Sequence, residues 1–498
     1  MISRWIMNRK SQNKEQPLAN MINLFKKSED FVESEYILNG KLFYIAYYEP
    51  LIDNKELNEN VLKVLKENHT YITLEEMKDA VANANSLWIN QSDELREKVM
   101  HGFVIIYDQP LPKRCLAIQA TQENNRSVAP PETEFSVSGP QEAFIESLDT
   151  NIYLIRKRLP LPQLQIKELS IGKLTQTRVV VMYIDGIADP DNIETVIQRL
   201  HSIEIDQVID ANALSQMITD QTMSIFPQLI HTERPERVAA VLAEGKIAFM
   251  ANGSPDAIIG PATLIEFFSS LEDYYLHWQI ASFLRLLRFG AVLFSIFSTP
   301  IYVAVLTFHY ELIPRDLLST IIASRSNIPF PPIIEAIFLE LTIELLREAG
   351  ARLPTKVGQT IGIVGGIVIG QASVEAGLTS NILLIIVALA ALASFTTPVY
   401  QMGNTIRVIR FPILFMAAFF GGVGVAFCGL YVLIHLIRLT SLGRPYMEPL
   451  FPPRFTDWKD AFVRLPFNRM SKRPIYMRPL DSGRFNFKRA TSKSDFDE

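Results

Sequence analysis

The chain has 498 residues, 48% of them apolar, and a net charge of −5 from 48 Lys and Arg against 53 Asp and Glu. That length exceeds one compact domain, and an acidic balance excludes nucleic acid as the main partner, because phosphate binding needs a basic face. Two cysteines, Cys115 and Cys428, exclude a disulfide framework.

Charge is unevenly spread. Residues 1–280 carry 26 basic against 39 acidic side chains, residues 281–438 carry 10 against 7, and residues 439–498 carry 12 against 7. The pattern predicts a multi-domain chain: an N-terminal two-lobed α/β soluble region, then an all-α polytopic transmembrane bundle, then a basic tail.

Residues 1–25 are mostly polar and read as a flexible N-terminal segment without the apolar core of a signal peptide. Residues 26–130 read as a first α/β lobe. Leu42–Tyr48 is a strand, Asn54–Glu67 a helix, and Phe103–Tyr107 pairs with Cys115–Ala120 across the PLPKR turn. Residues 131–284 read as a second α/β lobe. Its helix Glu142–Arg158 ends in Arg156, Lys157 and Arg158, which suit the negative end of a helix dipole or, alternatively, an acidic partner. Arg178–Ile184 (RVVVMYI) is a strong strand closed by Asp185-Gly186. Helices follow at Asn192–Ser202 and Arg234–Glu244, then strands at Lys246–Met250 and Ala257–Ile259. The acidic cluster Asp185, Asp189 and Asp191 reads as a turn and helix cap, with a cation site as the alternative.

Residues 285–438 form the expected membrane part. Uncharged runs place spans at about 289–308, 357–374, 381–400 and 411–434. Pro300 interrupts the first, which membrane helices tolerate when neighbours cover the freed carbonyl. Residues 328–348 open with Pro329, Pro331 and Pro332 and carry an acidic track, Glu335, Glu340, Glu344 and Glu348. A lipid-facing helix would not hold these charges. Two readings stay open: an interfacial amphipathic helix with a wetted acidic stripe, and a re-entrant or bundle-interior helix whose carboxylates line water and favour cations. Four spans plus that segment put the soluble lobes and the tail of residues 439–498 on one side, the cytoplasmic one by the positive-inside rule.

Gly358, Gly362, Gly366 and Gly370 form a ladder at four-residue steps. On a helix they make one ribbon that drifts about 40° per step. In lipid such a ribbon lets two backbones approach closely. The opposite face carries Thr360, Val364, Ile367 and Gln371. An apolar middle between polar ends suits a pore constriction that gates by dewetting; hydrogen bonding between helices by Thr360 and Gln371 is the alternative.

Enzyme signatures are missing from the sequence: no phosphate-binding glycine loop, no paired metal-spaced histidines, no nucleophile elbow. The expectation is a non-enzyme with no cofactor and no metal site. The seven histidines are scattered and read as structural.

Several longer motifs carry a resemblance. SGPQEAFIESLDTNIYLIRKRL (Ser138–Leu159), RVVVMYIDGIADP (Arg178–Pro190), ERPERVAAVLAEGKIA (Glu233–Ala248), EDYY (Glu272–Tyr275), PFPPIIEAIFLELTIELLREAGARLP (Pro329–Pro354) and IGIVGGIVIGQASVEAG (Ile361–Gly377) resemble the A subunits of bacterial spore germinant receptors, the GerA family. The likeness runs from about residue 30 to 455. Ser138 and Gln141 stand where many members have arginines, so an anion-pairing role there is not implied. The resemblance implies a multi-pass subunit in the spore inner membrane that triggers germination. Its implied partners are a transporter-like B subunit, a lipoprotein C subunit and further copies of itself. It also implies a nutrient-gated channel for monovalent cations. The competing expectations are a non-conducting scaffold and a secondary transporter; the four unequal spans lack the inverted repeats that a transporter predicts.

Overall fold

The computed structural model describes residues 17–38, 40–63, 73–81, 86–122, 131, 134, 139–353 and 366–487. The first lobe is a five-stranded antiparallel sheet in the order β1-β2-β4-β5-β3, with β1 Phe31–Leu38, β2 Lys41–Tyr48, β3 Ser86–Ile89, β4 Phe103–Tyr107 and β5 Cys115–Gln119. The second lobe repeats this order as β6-β7-β9-β10-β8, from β6 Leu164–Ile171, β7 Thr177–Ile184, β8 Ile230–Thr232, β9 Ile247–Ala251 and β10 Ala257–Gly260.

The central strand β7 explains why RVVVMYI reads so clearly. Successive side chains point to opposite faces. Val179 and Val181 enter one core with Val196, Leu214 and Phe249, while Val180 and Met182 enter the other with Ile155, Leu242 and Met250. Both faces are covered, so the run is continuously apolar. The second of these cores continues through Met402, Ile406 and Leu436, which seats the lobe on the base of the helical region.

Three soluble elements differ from expectation. Residues 18–25, expected to belong to a flexible segment, form the helix Leu18–Phe25, whose Leu18, Met21, Ile22 and Phe25 are buried in the core of the first lobe. The helix expected from Glu142 starts at Leu148. Asn151 holds the preceding loop open: its side chain accepts from the Ile145 amide at 2.9 Å and donates to the Ile145 carbonyl at 2.6 Å. The stretch expected as one helix from Asn54 is helical over Asn54–Glu56 and a π-helix over Leu57–Leu62; its end, 64–67, lies outside the described residues. The Asp189 cap is as expected, its side chain accepting from the Asp191 amide.

The helical region departs further. Among the described residues two helices are long and apolar enough to cross a membrane, Trp278–Phe308 and Tyr400–Arg438. The first contains the expected 289–308 span, with Pro300 inside it. The expected 381–400 span is the helix Asn381–Ser394, whose 14 residues reach about 21 Å, short of a core of about 30 Å. Pro398 disfavours helical backbone before it and ends the run. The segment expected at 328–348 is the helix Pro332–Arg352.

The expected straight span 411–434 is corrected more sharply. Thr405 Oγ1 donates to the Ile225 carbonyl at 2.7 Å, and His435 Nε2 lies 2.9 Å from Ser224 Oγ. In a straight helix residues 405 and 435 would stand about 45 Å apart. The chain therefore reverses, and it does so at Gly421, the non-helical residue of the run (φ 59°, ψ −141°). His309 caps the turn by accepting from the Gly422 amide at 3.1 Å. The result is a hairpin with both ends at the lobe.

The basic segment after residue 438 is docked rather than free. Tyr446 is fully buried and donates to the Pro227 carbonyl, Ser441 accepts from the Ala262 amide, and Arg444 pairs with Asp189 at 2.6 Å. Arg464 donates to the carbonyls of Asp273, Tyr274 and Leu276. Guanidinium groups here serve as multi-donor clamps on backbone oxygens. Lobes and tail thus share one end of the helical bundle.

Candidate functional site in the helical bundle

The helix Pro332–Arg352 turns its glutamates in different directions. Glu340, 2% exposed at the side chain, meets Arg410 of the hairpin at 2.5 Å and accepts from Thr299 Oγ1 at 2.9 Å. Arg410 also donates to Ser295 Oγ at 2.7 Å. Glu335 accepts from the Ser380 amide at 3.1 Å and pairs with Arg325 at 2.9 Å. Glu344 pairs with Arg347 and lies 4.0 Å from Arg407. Glu348 pairs with Arg352 on an exposed face. A wetted stripe would leave all four carboxylates in solvent; Glu335 and Glu340 instead point inward, each at 1% residue exposure. Their partners arrive from four other elements. A charge out of water is tolerable only when paired and hydrogen-bonded, and sequence spacing within one helix carries no sign of such partners.

Around this network Val303, Ala336, Leu339, Leu383, Val387 and Leu414 close a separate apolar core. It ties together the first long helix, the glutamate helix, the Asn381–Ser394 helix and the hairpin.

The glycine ladder is described in part. Gly358, Gly362, Thr360 and Val364 lie outside the described residues, whereas residues 366–375 are helical. A side chain at Gly370 would meet Leu384 at 3.7 Å, and one at Gly366 would meet nothing within 4 Å among the described residues. Ile367 is 62% and Val368 57% exposed. Gln371 is exposed too and donates to Glu375 at 2.8 Å. An apolar helix left this open in a single chain needs lipid or another subunit to cover it.

The soluble lobes meet at a second buried pair. Arg156, with no exposed surface, bonds bidentately to Asp30 of the first lobe, donates to Ser28 Oγ at 2.9 Å and stacks over Tyr48 at 4.1 Å. Of the two readings for the Arg156–Arg158 cluster, this selects the acidic partner for Arg156, while Arg158 pairs with Glu142 at 2.5 Å. Among the described residues no group of three or more His, Cys, Asp or Glu is placed to hold a metal ion.

Two antiparallel sheet lobes seated on an apolar helical bundle define a membrane-associated, multi-domain protein. The chain belongs to the Bacillus/Clostridium GerA spore germination protein family, which it matches over residues 19–476. It is 49% identical to the spore germination protein GerQA of Bacillus cereus, over 97% of each chain. It is 39% identical to the spore germination protein A1 of Bacillus subtilis, over 91% of this chain and 94% of that one. A crystal structure of the N-terminal domain of the A subunit of the Bacillus megaterium spore germinant receptor GerK3 aligns at 28% identity and TM-score 0.38. It covers 50% of this chain and 94% of that one.

Proposed function

We propose that this chain is the A subunit of a nutrient germinant receptor and that copies of it assemble into a gated path for monovalent cations. The observation that carries the reading is the helix of residues 366–375, which the described residues leave uncovered, with Ile367 and Val368 more than half exposed and nothing described beside Gly366. Neighbouring copies packing on the ladder glycines Gly358, Gly362, Gly366 and Gly370 would cover it. Thr360, Val364, Ile367 and Gln371 then line the path, with the two apolar positions as the constriction. The glutamate track has two parts in this reading. Glu335 and Glu340 fix the bundle through Arg325 and Arg410, and Glu344 and Glu348 stand nearer the lobe end. The role is not enzymatic.

The partners that fit are a transporter-like B subunit and a lipoprotein C subunit, in the spore inner membrane. A basic tail folded onto the lobes favours the cytoplasm for both. The deciding experiment is reconstitution of the purified receptor in potassium-loaded vesicles. Nutrient-dependent efflux that requires this chain supports the proposal. Assembly of the complex without any efflux overturns it in favour of a scaffold.

A further inference from the structure

At the lobe end of the bundle three guanidinium groups, of Arg347, Arg407 and Arg410, meet two carboxylates, of Glu340 and Glu344. Arg410 and Glu340 pair with each other. Glu344 is shared by Arg347 of its own helix and Arg407 of the hairpin. Its Oε1 stands 4.0 Å from Arg407 Nε, beyond hydrogen-bond reach. The Arg407 guanidinium otherwise donates to the neutral side chain of Asn404. Among the described residues no second carboxylate pairs with Arg347 or Arg407. Residues 354–365, which lie outside the described set, contain no Asp or Glu. One positive charge is left over beside Arg407, whose side chain is 8% exposed. A cation this far from water is costly without an anion.

The surroundings say which kind of anion. Thr405, two residues before Arg407, bonds to Ile225 of the second lobe. The cluster therefore lies where the bundle meets the lobe, at the level of lipid headgroups. Arg347 keeps 23% of its side chain exposed, so the cluster can be reached from outside. Tyr400, seven residues before Arg407 and on the same helical face, is exposed, as tyrosines at a membrane interface are. Leu341, Leu345 and Val408, each the residue after a member of the cluster or of its ion pair, are about half exposed or more. A free phosphate would answer the charge and leave this apolar surface bare. A phospholipid covers both, with its phosphate on the guanidinium groups and its acyl chains along the leucines.

We propose that the junction of the glutamate helix with the first arm of the hairpin binds a phospholipid of net negative charge, its phosphate held by Arg347 and Arg407. Basic clusters between membrane helices on the cytoplasmic side suit such headgroups. A guanidinium also presents parallel N–H donors that match two phosphate oxygens. The lipid then supplies the anion that the chain lacks and ties the glutamate helix to the hairpin. The proposal needs the bundle to lie in a bilayer, and it is independent of whether the chain conducts ions.

The test uses the full chain in lipid nanodiscs, with spin-labelled phosphatidylglycerol or phosphatidylcholine as the probe. Electron paramagnetic resonance reads the lipid fraction immobilised by the protein. The unaltered chain should hold phosphatidylglycerol about tenfold more tightly than phosphatidylcholine, the worth of one charge-assisted hydrogen bond. Arg347→Gln should bring that ratio close to one. Arg438→Gln, which removes an exposed charge from the other arm of the hairpin, should leave it unchanged. Glu344→Gln should raise it by removing the competing carboxylate. Three results overturn the proposal: no preference in the unaltered chain, a ratio unchanged in Arg347→Gln, and an equal fall in Arg438→Gln, which would be the general attraction of a basic membrane face. Displacement of phosphatidylglycerol by inorganic phosphate at matched ionic strength would make this a free-phosphate site. Loss of the preference once copies assemble would give the cluster to a neighbouring chain. Either outcome overturns the lipid assignment. Should Arg347→Gln fail to fold, Glu344→Gln decides by direction, and a ratio that does not rise overturns the proposal.

Discussion

Glu340 and Arg410 stand 2.5 Å apart, 70 residues apart in sequence, with 2% and 3% of their side chains exposed. Removing one partner strands the other charge, whereas removing both leaves an apolar contact. Glu340→Met or Arg410→Met alone should destabilise the detergent-purified protein by about 3–5 kcal/mol, and the double substitution should recover most of that. Thermal unfolding of the three variants checks this. A double variant that loses the sum of the two single losses would show that the pair contributes no coupling.

The hairpin makes a topological prediction. Tyr400 and Arg438 sit at the two ends of the run and are both exposed. If Gly421 reverses the chain, cysteines placed at each position in a background lacking Cys115 and Cys428 will react with a membrane-impermeant thiol reagent from the same side. A straight helix of 39 residues, about 58 Å long, would put them on opposite sides. Gly421→Ala should also be strongly destabilising, by about 1–3 kcal/mol from backbone strain alone. Its φ of 59° with ψ of −141° belongs to glycine, and an added Cβ would lie 3.0 Å from Phe308 and His309.

At the lobe junction the aromatic ring and its hydroxyl separate. Arg156 stacks on the Tyr48 ring at 4.1 Å, while the buried Tyr48 hydroxyl has no hydrogen-bond partner among the described residues. Tyr48→Phe keeps the stack and removes an unsatisfied group, so stability should hold or rise by about 1 kcal/mol. Arg156→Met should instead cost about 3 kcal/mol or more by leaving Asp30 buried without its partner. Denaturant unfolding of the two variants gives the comparison.

These relationships divide what sequence can and cannot convey. Strand β7 was readable because its alternation and its burial on both faces are local properties of seven consecutive residues. The reversal at Gly421 was not: periodicity does not encode which of Gly421, Gly422 and Gly424 takes positive φ. Partners such as Asp30 for Arg156, 126 positions away, and Arg410 for Glu340 leave no mark on local spacing. The tail reads as a basic overhang because arginines that clamp backbone carbonyls look like solvated charge in a composition count. Half of the glycine ladder and of the stripe opposite it falls outside the described residues, so their joint role stands on Gly366, Ile367, Gly370 and Gln371.

Acidity should tune the docking of the tail. Burial pushes the Glu244 carboxyl up from 4.5 to about 7, with Asp460 and Glu266 adding to it and Arg484 and Lys246 opposing. Between those values the folded protein holds a proton that the unfolded chain has released. The contribution of this group to stability is therefore greatest below about pH 4.5, falls as pH rises, and levels off above about 7, a change on the order of 3 kcal/mol. Glu244→Gln should flatten that part of the pH–stability profile. A slope unchanged in Glu244→Gln would assign the titration to another group.

The last prediction separates packing from gating on the helix of residues 366–375. Among the described residues of one chain nothing lies beside Gly366, and Ile367, the next residue, is largely exposed. If copies pack on the glycine ribbon, Gly366→Leu should block assembly, read as a smaller complex in native gels, because the added side chain prevents backbones from approaching. If Ile367 is part of a dewetted constriction, Ile367→Ala should leave assembly intact yet raise unstimulated potassium leak, since a wider apolar ring wets more readily. Ile367→Ser should leak more than Ile367→Ala at similar volume, because polarity rather than size then sets the barrier. A leak that follows side-chain volume alone would point to steric closure. No leak from either variant would remove Ile367 from the path, while leaving the glycine prediction to stand or fall on the size of the complex.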